Sequence, residues 1–226
     1  MQDYETISKH FSETRKNPQP LSQEMLPLVP DGGAVLDVGC GNGRLFDALR
    51  EKCVQYTGID VSGQMIEQAK KRLQRDRVCL DVGSVLELPF HDSSFHVVFA
   101  FAALHHIPSR AFRERAMEEI FRVLKKDGVL LMKNWNLYAW TWVKRYRWRL
   151  RGLYIPYRNM DRGDVWIPWK MCEGEVIDRY VHVYTKREMG EYLTRSGFQR
   201  SHSWYETRGK TAPWWQGENL VTVAWK

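Results

Sequence analysis

The stretch Val35-Leu36-Asp37-Val38-Gly39-Cys40-Gly41-Asn42-Gly43-Arg44-Leu45 constrains this chain more than any other. Apolar residues from Ala34 to Val38 read as a buried strand. It stops at three alternating glycines and gives way to a helical pattern through Leu45, Phe46 and Leu49. Strand, glycine turn and helix in that order make a cradle. Glycine takes backbone angles closed to other residues and lets a ligand approach the main chain, while the helix start offers unpaired N–H groups and a positive dipole end. A polar or anionic group is expected there. Dinucleotide-binding proteins use a glycine turn of different spacing, so the turn alone does not decide. The next strand, Gln55 to Asp60, ends in a carboxylate that can accept both hydroxyls of a ribose. Ser62 then caps a helix carrying Met65, Ile66, Ala69 and Leu73 on one face.

These residues resemble the class I S-adenosylmethionine-dependent methyltransferases, whose Asp-x-Gly-x-Gly-x-Gly loop is matched by Asp37, Gly39, Gly41 and Gly43. The resemblance implies S-adenosylmethionine as cofactor. It places the glycine loop and Cys40 around the methionine part, Asp60 and Val61 at the ribose, and Met65 against adenine. Gly83, Ser84 and Val85 follow the third strand, Arg77 to Val82, and Phe101, Ala102 and His105 close the pocket at the end of the fourth. Such enzymes usually carry an acid where this chain has Ser84. A hydroxyl brings no charge, so the adenine contact passes to the backbone of Val85 or to Asp81, or Ser84 simply caps a turn.

With 226 residues, 43% hydrophobic and 27% charged, the chain has room for one domain with a full core. No apolar run reaches membrane-spanning length and Met1 to Glu5 is polar, so a cytoplasmic protein is expected. Cys40, Cys53, Cys79 and Cys172 lack metal-ligand spacing and read as reduced thiols; no metal is expected. The net charge of +7 is local: Lys144 to Arg162 holds seven basic residues and one acid, Asp161. All ten tryptophans lie at or after Trp135, which marks a boundary between a cofactor half and a substrate half.

In chain order, Tyr4, Ile7 and Phe11 have helical spacing. That segment reads either as a surface helix or, by the resemblance, as a lid bringing Tyr4, Phe11 and Arg15 over the cofactor. Leu21 to Leu28 reads as a second short helix. The fourth strand, Val97 to Phe101, leads to His105 and His106, one placed near the cofactor and the other near the acceptor. Arg110 to Leu124 reads as a helix with Phe112, Ala116, Ile120 and Leu124 inward and its acids and arginines outward. Val129 to Lys133 is a fifth strand, Thr185 caps the last helix, Phe198 to Trp204 and Leu220 to Trp225 read as the last two strands, and Arg208 to Glu218 reads as the loop between them. The expected fold is α/β: a doubly wound, mainly parallel seven-stranded sheet with an aromatic and basic insertion after strand 5. Its parts are lid helices (1–30), a cofactor core (31–134), a substrate-side insertion (135–178), and a C-terminal helix with edge strands (179–226).

In the insertion, Trp135, Trp140, Trp142 and Trp148 alternate with Lys144, Arg145 and Arg147, and Trp169 follows. Such interleaving suits unpaired RNA; the alternative is a helix over Tyr138 to Leu150 with tryptophans inward and arginines solvated. Leu88-Pro89-Phe90, Leu104-His105-His106-Ile107, Val165-Trp166-Ile167-Pro168-Trp169 and Arg179-Tyr180-Val181-His182-Val183-Tyr184 are similar to pieces of the tRNA wobble-uridine methyltransferases, which methylate the carboxylate of a 5-carboxymethyl group. This narrower resemblance implies a tRNA substrate, an acceptor faced by Arg15, a loop histidine and Arg179, and, in eukaryotic-type members, a small activator subunit. A carboxylate is already nucleophilic near neutral pH and needs alignment more than a base. Two other readings stand beside it: methylation of a small molecule, for which His105 or His106 is the candidate base, and a degenerate domain kept as a scaffold.

Overall fold

The computed structural model describes residues 14, 17, 21–22, 24–74, 76–146, 150, 153, 155, 160–170, 174 and 176–226. In chain order these form β1 (Ala34–Val38), α1 (Phe46–Leu49), β2 (Gln55–Asp60), α2 (Gly63–Arg72), β3 (Val78–Val82), β4 (Phe95–Phe101), α3 (Arg110–Val123), β5 (Leu124–Trp135) and α4 (Trp140–Tyr146). There follow β6 (Asp164–Lys170), β7 (Val176–His182), α5 (Lys186–Arg195), β8 (Arg200–Thr207), β9 (Lys210–Ala212) and β10 (Asn219–Trp225). Eight strands make one sheet in the order β3-β2-β1-β4-β5-β10-β8-β9, and β6 pairs with β7 as a separate hairpin. The first five run parallel. β10 joins β5 antiparallel, and β8 and β9 continue antiparallel to the edge. Because β2 and β4 flank β1 on opposite sides, successive crossovers leave it in opposite directions and a crevice opens beyond the carboxyl ends of the strands.

The central strands are apolar on both faces because both are covered. Leu36, Val38, Val98 and Leu130 pack with Ile120 of α3 and Met189 and Tyr192 of α5. On the other face Val35, Val97, Phe99 and Leu131 pack with Met25, Leu45, Leu49 and Leu73. Side chains start the helices as read: Ser62 Oγ accepts from the Met65 amide at 3.2 Å, and Thr185 Oγ1 from the Glu188 amide at 3.2 Å.

Four details differ from the sequence reading. Among its described residues, Leu21 to Leu28 holds a single 3₁₀ turn, Leu26–Leu28, with Pro27 inside it. The segment read as a loop after Arg208 includes β9, reached through Arg208 and Gly209 at φ +50° and +79°, which adds an eighth strand. The helix read through Leu150 covers Trp140–Tyr146, with 147–149 outside the described residues. On α3, Phe112 is 50% exposed and Arg113 is 1% exposed, so the face read as inward is turned by one residue and takes Arg113 and Glu119 inside.

Arg113 explains how the insertion is held. Its Nη1 donates to the Tyr180 hydroxyl (3.0 Å) and the Ile107 carbonyl (3.1 Å), its Nε to the Tyr192 hydroxyl (3.1 Å), and its Nη2 to Asp161 (2.5 Å). Tyr180 in turn donates to Asp164 at 2.6 Å, and His182 bridges Asp164 (2.6 Å) and Glu188 (2.8 Å). Burial opposes charge on His182, but its two carboxylate partners raise its pKa above the ordinary histidine value; Asp164 is lowered, its hydrogen bonds from His182 and Tyr180 outweighing burial. Beyond this polar knot the insertion has its own small core of Leu137, Leu150, Leu153, Val165, Ile167, Val181 and Val183.

Candidate active site

Beyond β1, the chain turns at Gly39 (φ +70°), whose amide, with that of Cys40, donates to the Ile59 carbonyl at 2.8 and 2.9 Å. A Cβ on Gly39 would lie 2.5 Å from Cβ of Ala103, so this glycine is required both by its backbone angle and by the approach of the β4 loop. Gly43 (φ +76°) is required for another reason: a Cβ there would meet Leu73 at 2.5 Å, so it lets the loop pack on α2. The helix expected to aim its dipole at the ligand is α1, only four residues long. The turn amides of Gly39, Cys40 and Gly41 are themselves spent on Ile59 and Asp60.

Asp60, at the end of β2, accepts from the Gly41 amide through Oδ2 (2.9 Å) and from the Ser62 amide through Oδ1 (3.0 Å). These bonds fix the orientation of its carboxylate at the end of the strand. Asp37 sits behind it, 3% exposed, accepting from the Tyr56 hydroxyl at 2.5 Å. Burial pushes the Asp37 carboxyl up to about 7 despite Tyr56, with Asp60 adding to the rise and Arg44 opposing it. Burial also pushes the Cys40 thiol up, which leaves it inert.

Asp60 borders a cavity of about 210 Å³. The cavity is lined by Gly39, Asp60, Val61, Gly83, Ser84, Val85, Ala102 and His106 of the residues expected at the site, and also by Leu86, Ile107 and Phe112. Ser84 Oγ accepts from the Leu86 amide at 3.2 Å, the turn-capping role, while its residue still faces the cavity. Asp37, Cys40, Gly41, Gly43, Met65, Phe101 and His105 do not line it. Met65 is buried on α2, and Phe101 lies under the Lys133 ammonium, 5.5 Å from its ring centre. Tyr4, Phe11, Arg15 and Arg147 lie outside the described residues. The exposed Phe112 was missed because its spacing fits a core position; only its place next to the Ser109 cap could have pointed to the crevice.

At the head of the cavity the two histidines divide. His106 donates from Nδ1 to the Tyr180 carbonyl at 2.9 Å, and burial holds its pKa down to about 3, with Arg179 adding to the drop. His105 is fully buried, its Nδ1 3.3 Å from Asn134 Oδ1, and burial likewise keeps it neutral, with His106 adding. Trp135 lies 4.9 Å from the His105 ring and 5.8 Å from His106. Arg179 is 6% exposed, its guanidinium 4.9 Å from the Trp135 ring and 4.2 Å from Trp169. Trp135, Trp169, Arg179 and the histidines therefore lie together. Lys144 and Arg145 are exposed on α4, against the rings of Trp140 and Tyr146.

Known proteins share this fold. Residues 36–132 match the family described as methyltransferase domain. A "Putative methyltransferase" of Encephalitozoon cuniculi is 34% identical over 197 residues, 87% of this chain and 85% of that protein. A crystal structure of a SAM-dependent methyltransferase from Methanosarcina mazei superposes with TM-score 0.72 at 25% identity, covering 92% of this chain and 99% of that one. The chain belongs to the class I methyltransferases that use S-adenosylmethionine. The methyltransferase is also 33% identical, over 134 residues, to the Xenopus tropicalis tRNA (carboxymethyluridine(34)-5-O)-methyltransferase alkbh8, which covers 59% of this chain and 20% of that protein. It spans about a fifth of that relative's length.

The crevice fits the cofactor: a fixed carboxylate for the ribose and apolar walls at Val61, Val85, Leu86 and Phe112 for a flat base. When bound, S-adenosylmethionine supplies an electrophilic methyl group on a sulfonium. Among the described residues no group of His, Cys, Asp and Glu could hold a metal, and no helix is long and apolar enough to cross a membrane.

Proposed function

We propose that the methyltransferase acts on tRNA, transferring the methyl group to the carboxylate of a wobble-uridine carboxymethyl group. The observation that carries this reading is the pairing of a buried cation with a poor base. Arg179 is held between two indoles, and the neighbouring His106, with a pKa near 3, removes protons from a hydroxyl or amine inefficiently at neutral pH. A carboxylate needs no such base. It needs a positive partner, and a planar guanidinium offers a two-pronged one. The basic run from Lys144 to Arg162, with one acid, favours a polyanionic partner. In this reading Asp60 holds the ribose, Ser84 and Val85 meet the adenine, and Arg179 and Trp169 meet the acceptor.

The test is incubation with labelled S-adenosylmethionine and total tRNA, with and without a small activator subunit of the kind the resemblance implies, followed by nucleoside mass spectrometry. Label in the methyl ester of carboxymethyluridine is expected. Arg179→Gln should lower turnover about a hundredfold while leaving cofactor affinity within twofold, since loss of a charge-assisted contact costs about 1.5–3 kcal/mol. Label recovered only in small metabolites would overturn the reading.

A further inference from the structure

The turn after β9 exposes two adjacent indoles, Trp214 (52% exposed) and Trp215 (39%), with ring centres 5.7 Å apart. It is not a loose loop. The buried Asn136 donates from Nδ2 to the carbonyls of Trp214 and Gly217, both at 2.7 Å, and the Pro213 carbonyl accepts from Gln216 and Gly217 at 3.0 and 2.9 Å. The Trp215 carbonyl accepts from the amide of Trp140 at 2.8 Å, which brings a third indole alongside, 62% exposed at the start of α4. The opposite face of α4 is spent inward, where Trp142 stacks on Trp135 (5.6 Å) and Tyr146 on Trp142 (5.7 Å). Three exposed indoles are thus carried on backbone tied together at Asn136 and Trp140, and Asn136 directly follows Trp135, which touches both site histidines.

We infer that Trp140, Trp214 and Trp215 form a platform on which unpaired RNA bases stack beside the reacting nucleotide. The inference rests on the RNA reading above and names residues for it outside the cofactor crevice. Charge selects the occupant. Lys144 sits 5.8 Å from the Trp140 ring, Arg145 is next to it, and between Trp135 and Met160 the sequence has no Asp or Glu. An aromatic surface with cations beside Trp140 suits a chain of bases and phosphates, Glu218 being the one acid in the turn that carries Trp214 and Trp215: stacking tolerates any base, and the cations meet the backbone. Pre-ordering the turn removes part of the entropy cost of binding.

The experiment measures binding of a fluorescein-labelled oligouridylate and of a blunt RNA duplex of equal length, with the full chain, and the KM for tRNA methylation. Trp140→Leu, Trp214→Leu and Trp215→Leu keep an apolar body at exposed positions, and thermal melts confirm folding. Each is expected to weaken single-strand binding roughly tenfold and raise KM, with duplex binding nearly unchanged; Lys144→Gln should weaken both probes alike and flatten the salt dependence. Single-strand affinity equal to wild type in all three variants overturns the platform, as does sedimentation showing that the substitutions dissolve a self-associated form without altering RNA binding. If wild type methylates tRNA and the variants do so with unchanged KM, the platform alone fails. If wild type methylates no RNA, the proposed function fails first.

Discussion

The cofactor half and the insertion solve the placing of side chains in opposite ways. From Ala34 to Lys133 the decisive contacts are made by backbone: amides of Gly39 and Cys40 on Ile59, amides of Gly41 and Ser62 on Asp60, and a glycine where any Cβ would strike Ala103. From Trp135 to Val183 they are made by side chains distant in sequence: Arg113 to Asp161 and Tyr180, His182 to Asp164 and Glu188, Arg179 to Trp135 and Trp169. Backbone geometry leaves a local mark on the sequence, because only certain residues permit it. A long-range polar knot leaves none, because each member satisfies only partners that the fold brings in later.

The sharpest way to break that contrast is to cut the knot. Arg113→Leu removes at once the hydrogen bonds from a buried cation to Tyr180, Tyr192, the Ile107 carbonyl and the partly exposed Asp161, and at about 1.5–3 kcal/mol for a bond to a charged group the loss should be about 3 kcal/mol or more. A urea melt should show that loss, with the first part of it appearing as release of the insertion, and a melt within 1 kcal/mol of wild type would mean the knot contributes little. The matching cut in the cofactor half is Asp60→Ala. Two ribose bonds to a charged acceptor, each about 1.5–3 kcal/mol, predict calorimetric affinity for S-adenosylmethionine at least about a hundredfold weaker.

A subtler separation uses pH. His182 has a folded pKa above its unfolded value, so its contribution is fully present below the ordinary histidine range and is lost as pH rises through the folded pKa. Compared with His182→Gln, the wild-type advantage in melting temperature should be largest near pH 5–6 and shrink above neutrality, whereas cofactor affinity of the two should run in parallel across the same range. The smallest effect belongs to Phe112→Ser. Exposed and lining the crevice, Phe112 should cost under about 0.5 kcal/mol of stability while weakening the cofactor severalfold; a stability loss of core size would restore it to the interior.

These differences explain what the sequence discloses. β1 and β2 match the residues read for them, and the caps at Ser62 and Thr185 hold, because apolar runs, glycines and capping hydroxyls act within a few residues. The Phe112 and Arg113 exchange was illegible: 112, 116, 120 and 113, 116, 120 fit a helical face equally well, and what buries Arg113 lies 48 to 79 residues away. Lys133 is the same case, buried against Glu206 across β10 at 2.8 Å. β9 was legible in principle, since an Arg-Gly pair between Thr207 and Lys210 is a hairpin turn of the left-handed kind. The platform tryptophans were half legible; Trp140 stood out by its basic neighbours, but Trp214 and Trp215 join it only through Asn136.

The position of β10 has a consequence for how such a chain comes off the ribosome. Among the described strands it comes after β5, β8 and β9 in sequence, yet it fits between β5 and β8. Until it arrives, the Val129–Met132 run presents a bare apolar margin to whatever else is nearby, and β8 with β9 has nowhere to dock. A chain cut before Asn219 is therefore expected to aggregate through that unpaired edge.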